Sequence, residues 1–288
     1  MRGGAKSGSE AEFLAETREG GLEVFFRDGL GATLAFEEGV AGVELGVLQL
    51  IGLGLGDRDL GTHLYRTHRI SEGADLTTVT AEIISAWGLG LNVLPATCDR
   101  LRTMVTLAAD DPSNDHFKSL TAGSEISFQE YFVQRHHSVP VSAVRFDGAE
   151  SCQPGPGVID AIKDADLIVI APSNPIVSIA PVLAVPGIRD ALIDRRNAVT
   201  AVCPIIAGAA LKGPADRMMA ELGHDASVLG IAALYKDFVS TLIIDSKDSK
   251  QKNAIEDLGL RCVVTETVMS TPGVSESLAL TVLAGSNL

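Results

Sequence analysis

The run Gly56-Asp57-Arg58-Asp59, followed by His63 and Arg66, gathers two carboxylates, an imidazole and two guanidinium groups into one short segment. If a helix begins at Asp59, His63 and Arg66 stand four and seven positions on, along one face. Such carboxylates can hold a divalent metal or take the proton of a hydroxyl. The plainer reading is that Asp57 or Asp59 caps the helix while Arg58 and Arg66 make surface ion pairs. A second group is Ser173-Asn174 with Ser178, in the proline-bounded run Pro172-Ser173-Asn174-Pro175. Ser and Asn fix turns through their own backbone, and a turn that orders backbone N–H groups can also receive an anion. A third is Lys212-Gly213-Pro214, just ahead of a helical stretch, where helix dipole and lysine charge both attract phosphate. Gln129 and Glu130 lie in Phe128-Gln129-Glu130-Tyr131-Phe132, which alternation reads as an ordinary half-buried strand. The adjacent pair His136-His137 is not expected to bind metal.

The elements that must position these groups follow from hydrophobic pattern. Leu167-Ile168-Val169-Ile170 is a β-branched run suited to a strand covered on both faces, and it stops at the Pro172–Pro175 loop. Residues 199–202 repeat the pattern and end in Cys203-Pro204. Ligands of open α/β sheets bind at such carboxyl ends. From residue 155 the chain alternates: helices are expected at 158–163, 186–194, 215–222, 227–235, 247–258 and 274–284, and strands at 167–170, 199–202, 241–245 and 261–265. This argues for parallel βαβ units. Before them, helices are expected at 59–70 and at 76–87, the latter capped by Asp75 or Thr77. Strands are expected at 22–26, 92–96, 103–107, 125–133 and 141–146, with a polar loop at 110–123.

Composition bounds the function. The chain has 288 residues, 46% of them hydrophobic, and a net charge of −14, which disfavours nucleic acid as a partner. Four widely spaced cysteines, with no CxxC pair, argue against a zinc cluster and fit a reducing, cytoplasmic setting. No secretory signal is visible and no membrane span is expected. No GxGxxG follows a strand, which argues against a nicotinamide dehydrogenase.

Together these motifs resemble the 2-phospho-L-lactate transferase (CofD/FbiA) family of coenzyme F-420 biosynthesis over about residues 55–288. The matching runs are Leu55-Gly56-Asp57-Arg58-Asp59-Leu60 with Thr62-His63, Leu94-Pro95 with Asp99, Phe128 to Val133, and Ala171 to Ile179. Leu183 to Arg189, Pro204-Ile205-Ile206, Leu211 to Ala215 and Tyr235-Lys236-Asp237-Phe238 complete the set. The resemblance implies an α/β fold, a Rossmann-like, mostly parallel sheet with helices on both faces and an inserted α+β region. On that basis residues 1–288 are expected to form a single domain: a divergent part over 1–55, an inserted or lid region over 56–150, and the nucleotide-binding core over 151–288. It also implies a magnesium-dependent transfer of a phospholactyl or phosphoenolpyruvyl group from a GDP-linked donor to the deazaflavin Fo, with release of GMP, by a homodimeric enzyme whose partners are these small molecules.

Carried onto this chain, Asp57 and Asp59 hold the metal or orient the hydroxyl, and Arg58 joins them in catalysis. Ser173, Asn174, Ser178, Lys212 and Gly213 bind nucleotide phosphate, and His63, Arg66, Gln129 and Glu130 meet substrate. Departures are visible too. Of the family's glycine-rich loop only Gly3-Gly4-Ala5-Lys6 is recognisable, and its later deazaflavin-binding segment is not found in 1–55. Ser127, Cys98 and Cys203 replace a usual His, Asp and Ser. Two other readings stay open: a non-catalytic binder of UDP-sugars, similar to the YvcK-like regulators, and an inactive paralogue.

Overall fold

Short β-branched runs closed by Gly or Pro become strands here, and the periodic stretches between them become helices. The computed structural model describes residues 57–112, 118–211 and 213–285, with side chains from residue 60 onward. The strand expected at 22–26, the glycine-rich remnant and Lys212 lie outside the described residues.

Helices α1 (Asp57–Ser71) and α2 (Leu76–Ala86) form a hairpin. Asp75 caps α2, its carboxylate accepting the Thr78 N–H at 2.9 Å. Arg69 grips Glu82 across the hairpin with bonds of 2.8 and 3.0 Å. The strand expected at 92–96 does not form. Instead the Ala96 carbonyl accepts the Gly155 N–H at 2.9 Å. A Cβ at 155 would stand 2.2 Å from the Pro95 oxygen, so only glycine permits this approach.

Next come β1 (Arg102–Leu107), β2 (Glu125–Ser127) and β3 (Val141–Asp147), an antiparallel sheet in the order β2-β1-β3. The long strand expected over 125–133 ends at Ser127. Its hydroxyl accepts the Glu130 N–H at 3.1 Å, and residues Glu130–Gln134 wind into a π-helix. Phe128 and Phe132, four apart, then meet as tilted rings 5.4 Å between centroids, a helical contact that alternation had disguised.

The remainder is α3 (Val158–Asp164), β4 (Ile168–Ile170), a π-helix over Pro175–Ile179, α4 (Ala180–Leu183), α5 (Ile188–Asp194), β5 (Val199–Val202), the hairpin β6 (Ile205–Ile206) and β7 (Ala209–Ala210), α6 (Ala215–Glu221), α7 (Val228–Tyr235), β8 (Thr241–Asp245), α8 (Lys252–Asp257), β9 (Arg261–Thr265) and α9 (Val274–Gly285). The single helix expected at 247–258 is split: Ser246–Gln251 is 3₁₀ and only Lys252–Asp257 is α.

Strands β4-β5-β8-β9 form a parallel sheet in that order. Side chains alternate across it. Ile168, Ile170, Val199, Ala201, Leu242 and Ile244 pack with residues of α3, α5, α7 and α8 in one cluster. Val202 and Ile243 pack against Leu278 and Val282 of α9 on the other side. Each fully buried Leu or Ile contributes roughly 2 kcal/mol by leaving water. The α/β architecture expected from the sequence, with helices on both faces of a parallel sheet, is the one observed.

Candidate functional site

Strands β4 and β5 are hydrogen-bonded neighbours running the same way, with Ile170 opposite Ala201, so their carboxyl-end loops leave the sheet side by side. The β4 loop is tightly self-bonded. Asn174 turns its side-chain oxygen back to accept the N–H groups of Ile176 at 2.9 Å and Val177 at 3.3 Å. The Asn174 carbonyl accepts from Ser178 and Ile179 at 3.0 and 3.1 Å, and the Ser173 N–H reaches the Ala171 carbonyl at 2.7 Å. The backbone donors from 176 to 179 are therefore spent inside the loop. An anion here would meet the half-buried Ser173 and Ser178 side chains, not those amides.

The β5 loop runs through the β6-β7 hairpin, which turns at Ala207 and Gly208 with φ of 51° and 80°. Asp248 steadies that turn by accepting the Ala207 N–H at 2.8 Å. The chain then reaches Gly213, with φ of 71°, and enters α6 after Pro214. Here the two loops meet. The Asn174 amide lies 3.9 Å from the Met218 sulfur. Met218 and Val177 share a buried cluster with Ile126 and Tyr131. One patch of packing thus gathers the 173–178 loop, the helix behind Lys212-Gly213, and the segment holding Gln129 and Glu130.

Gln129 is buried. Glu130 is committed to the buried Arg135, accepting from its Nε at 2.9 Å and Nη2 at 2.8 Å, and Asp111 takes the same guanidinium from the other side. Glu130 and Arg135 thereby hold the π-helix to the loop over 108–123. His136 and His137 both have positive φ, and the His137 ring stacks on Phe132 at 5.0 Å.

The acidic segment opens α1: Asp57, Arg58 and Asp59 form its first turn, and their side chains lie outside the described residues. His63 and Arg66 are half-buried further along the same helix. Burial lowers the Arg66 pKa to about 10, which still leaves it cationic at neutral pH. Among the described residues no group of three or more His, Cys, Asp or Glu side chains is placed to hold a metal ion.

At the far edge of the sheet the strand ends are closed on themselves. Asp245, buried at the end of β8, accepts from the Lys247 N–H and from both the N–H and hydroxyl of Thr267, at 3.0–3.1 Å. Burial pushes its carboxyl up, but these three bonds outweigh it and hold the pKa below the usual value. A cleft of about 430 Å³ opens elsewhere, lined by Val144, Ile176, Arg189, His224 and Tyr235. Its walls are β3 and the helices flanking the sheet; it touches the β4 loop only at Pro175 and Ile176 and offers no carboxylate.

Sequence reasoning missed Arg217, Met218 and Glu221, all on α6. The signal present was the Arg217–Glu221 spacing of four directly after Lys212-Gly213-Pro214-Ala215.

The family model for 2-phospho-L-lactate transferase CofD matches residues 32–268. The match begins inside the part expected to diverge and stops short of α9. A phosphoenolpyruvate transferase of Kitasatospora aureofaciens is 35% identical over 232 residues, covering 80% of this chain and 69% of that protein. A 2-phospho-L-lactate transferase of Methanosarcina mazei is 34% identical over 236 residues, covering 82% and 72%. Among solved structures, a UPF0052-family protein of Bacillus halodurans superposes with a TM-score of 0.53 at 17% identity, covering 86% of this chain and 80% of that one, a likeness of fold. Among the described residues no single helix is long and apolar enough to cross a membrane.

Proposed function

The chain belongs to the 2-phospho-L-lactate transferase CofD family, and from that premise we propose that it transfers a phospholactyl or phosphoenolpyruvyl group from a GDP-linked donor to the ribityl hydroxyl of the deazaflavin Fo. Relatives named for either group match it almost equally well, at 35% and 34% identity. The hydroxyl oxygen attacks the phosphorus that carries the three-carbon group. A P–O bond forms to the ribityl oxygen, the P–O bond to GMP breaks, and GMP leaves with the electron pair. The hydroxyl proton passes to Asp57 or Asp59. Ser173, Ser178 and Lys212 bind the donor's phosphates, with Arg58 and Arg66 balancing their charge. Gln129 lines the substrate side; Glu130 acts there through its pairing with Arg135.

Magnesium, when bound, would neutralise the diphosphate oxygens. The first turn of α1 offers the donor type that this ion takes, one or two carboxylates completed by substrate phosphates. The same reading carries a homodimer working in the cytoplasm on small molecules.

The observation that supports it most is the shared packing of Val177, Met218 and Tyr131, which unites three of the segments the chemistry needs. The test is to mix the purified protein with Fo, a GDP-linked phospholactate or phosphoenolpyruvate, and magnesium, and to follow GMP by chromatography. Asp57→Asn and Asp59→Asn should each lower turnover by about 100-fold or more, the scale of a lost general base, with Tm unchanged. Absence of GMP, or a loss of Tm that parallels the loss of turnover, would overturn the reading.

A further inference from the structure

Helix α6 is held to the antiparallel sheet by a closed ring of polar contacts. The Tyr131 hydroxyl, fully buried, donates to the Val139 carbonyl at 3.0 Å and accepts from Arg217 Nη2. Arg217 Nε stands 3.0 Å from Glu221 Oε1, one helical turn on, an ion pair without hydrogen-bond alignment. Glu221 Oε2 accepts the N–H of Val141 at 2.9 Å. The ring begins at Val139 and ends at Val141, so two points on one short segment grip two points on one helix. Between them on α6 stands Met218, whose sulfur meets Asn174, and just upstream of α6 lies the Gly213-Pro214 turn.

Apolar packing alone would stabilise this contact but would let α6 slide, because dispersion has no direction. Hydrogen bonds to buried groups fix register, since a slipped register leaves each of them unsatisfied. We propose that Arg217 and Glu221 are positioning residues: with Tyr131 they set the register of α6 on the antiparallel sheet and so fix where the Gly213-Pro214 turn stands relative to the 173–178 loop. They act on the nucleotide through α6 without touching it. The proposal rests on the assignment of those two loops to the donor's phosphates.

The test compares Glu221→Ala, which removes both contacts, with Glu221→Gln, which can still accept the N–H of Val141 and loses only the charge facing Arg217. Ile255→Val on the distant α8 serves as a stability control. Steady-state kinetics with the GDP-linked donor, the affinity for GDP, Tm and hydrogen exchange are measured on the full chain. Glu221→Ala should raise the donor KM and the GDP Kd by about tenfold, with kcat changed far less, a pattern of lost ground-state binding. Glu221→Gln should restore most of that loss. Amides of 213–218 and 176–179 should exchange faster in Glu221→Ala, while those of β8 stay protected. A fall in Tm with unchanged KM, Kd and exchange at both loops, as expected of the control, would overturn the proposal. If wild type neither releases GMP nor binds GDP, the functional reading fails instead, and exchange at the two loops still decides whether the ring sets their relative position.

Discussion

In the parallel sheet, β5 and β8 are buried from end to end, and the charge inside is a single carboxylate, Asp245, closed off by three hydrogen bonds. In the antiparallel sheet, β3 is exposed or half-exposed from Ser142 onward, and charge is distributed through it. Arg135 joins Asp111 and Glu130 beneath the surface, Arg145 joins Glu125 and Asp147 above it, and Arg217 ties Tyr131 to Glu221. The first region is held by burial, which is strong, directionless and indifferent to pH. The second is held by directed contacts, which contribute less but specify where each group stands. The candidate site lies where the two regions meet, so it takes its stability from one and its geometry from the other.

Substitutions can separate these two modes. The largest effect is expected from Ile243→Ala, which opens a cavity between the parallel sheet and α9. It should cost about 3–4 kcal/mol in urea denaturation. A loss below about 1 kcal/mol would mean that interior packing is not what holds this sheet. Arg135→Met should rank next, at about 2–3 kcal/mol, because Asp111 and Glu130 lose their shared cation while Glu130 keeps some access to water. Its damage should be local, seen as faster proteolysis within 108–138, and equal proteolysis of the parallel core would break the comparison.

The smallest effect concerns pH. Burial, and then the positive charge of Arg217, hold the His137 pKa below its ordinary value. As pH falls through about 6.5, the unfolded chain therefore takes up this proton before the folded one does, and stability declines. Between pH 7 and 5 the Tm should fall more steeply for wild type than for His137→Asn, which tolerates the positive φ without titrating. Parallel slopes would remove His137 from the account.

The same division decided what the sequence could reveal. From residue 158 onward the four strands of the parallel sheet and the helices that cover it were legible, because strands covered on both faces are uninterrupted apolar runs with Gly or Pro at their ends, whereas the helical turns over 175–183 and the β6-β7 hairpin were not expected. The antiparallel region was harder. Ile126, Phe128 and Phe132 fit a strand by alternation, while Phe128, Tyr131 and Phe132 fit a helix by their spacing of three and four, and the Ser127 hydroxyl, which captures the Glu130 N–H, marks where the strand gives way. Residues 92–96 look like a strand, but the Ala96 carbonyl goes to Gly155, a partner far away in sequence. At the site, the two strand-end loops were visible as Pro/Gly-bounded polar runs. Their use of Asn174 to consume their own backbone donors was visible only as turn chemistry. The grip of α6 on Val141 could not be read at all, because Glu221 and Val141 are 80 residues apart.

The strand order β4-β5-β8-β9 has one more consequence. Each strand of this sheet pairs with the strand of the same sheet that precedes it in the chain, so every new strand adds to an edge already made. The antiparallel sheet is synthesised earlier but must wait for Arg217 and Glu221 to emerge before it is fastened. The contacts that fasten it therefore depend on one seven-residue helix that follows it in the chain and precedes β8 and β9.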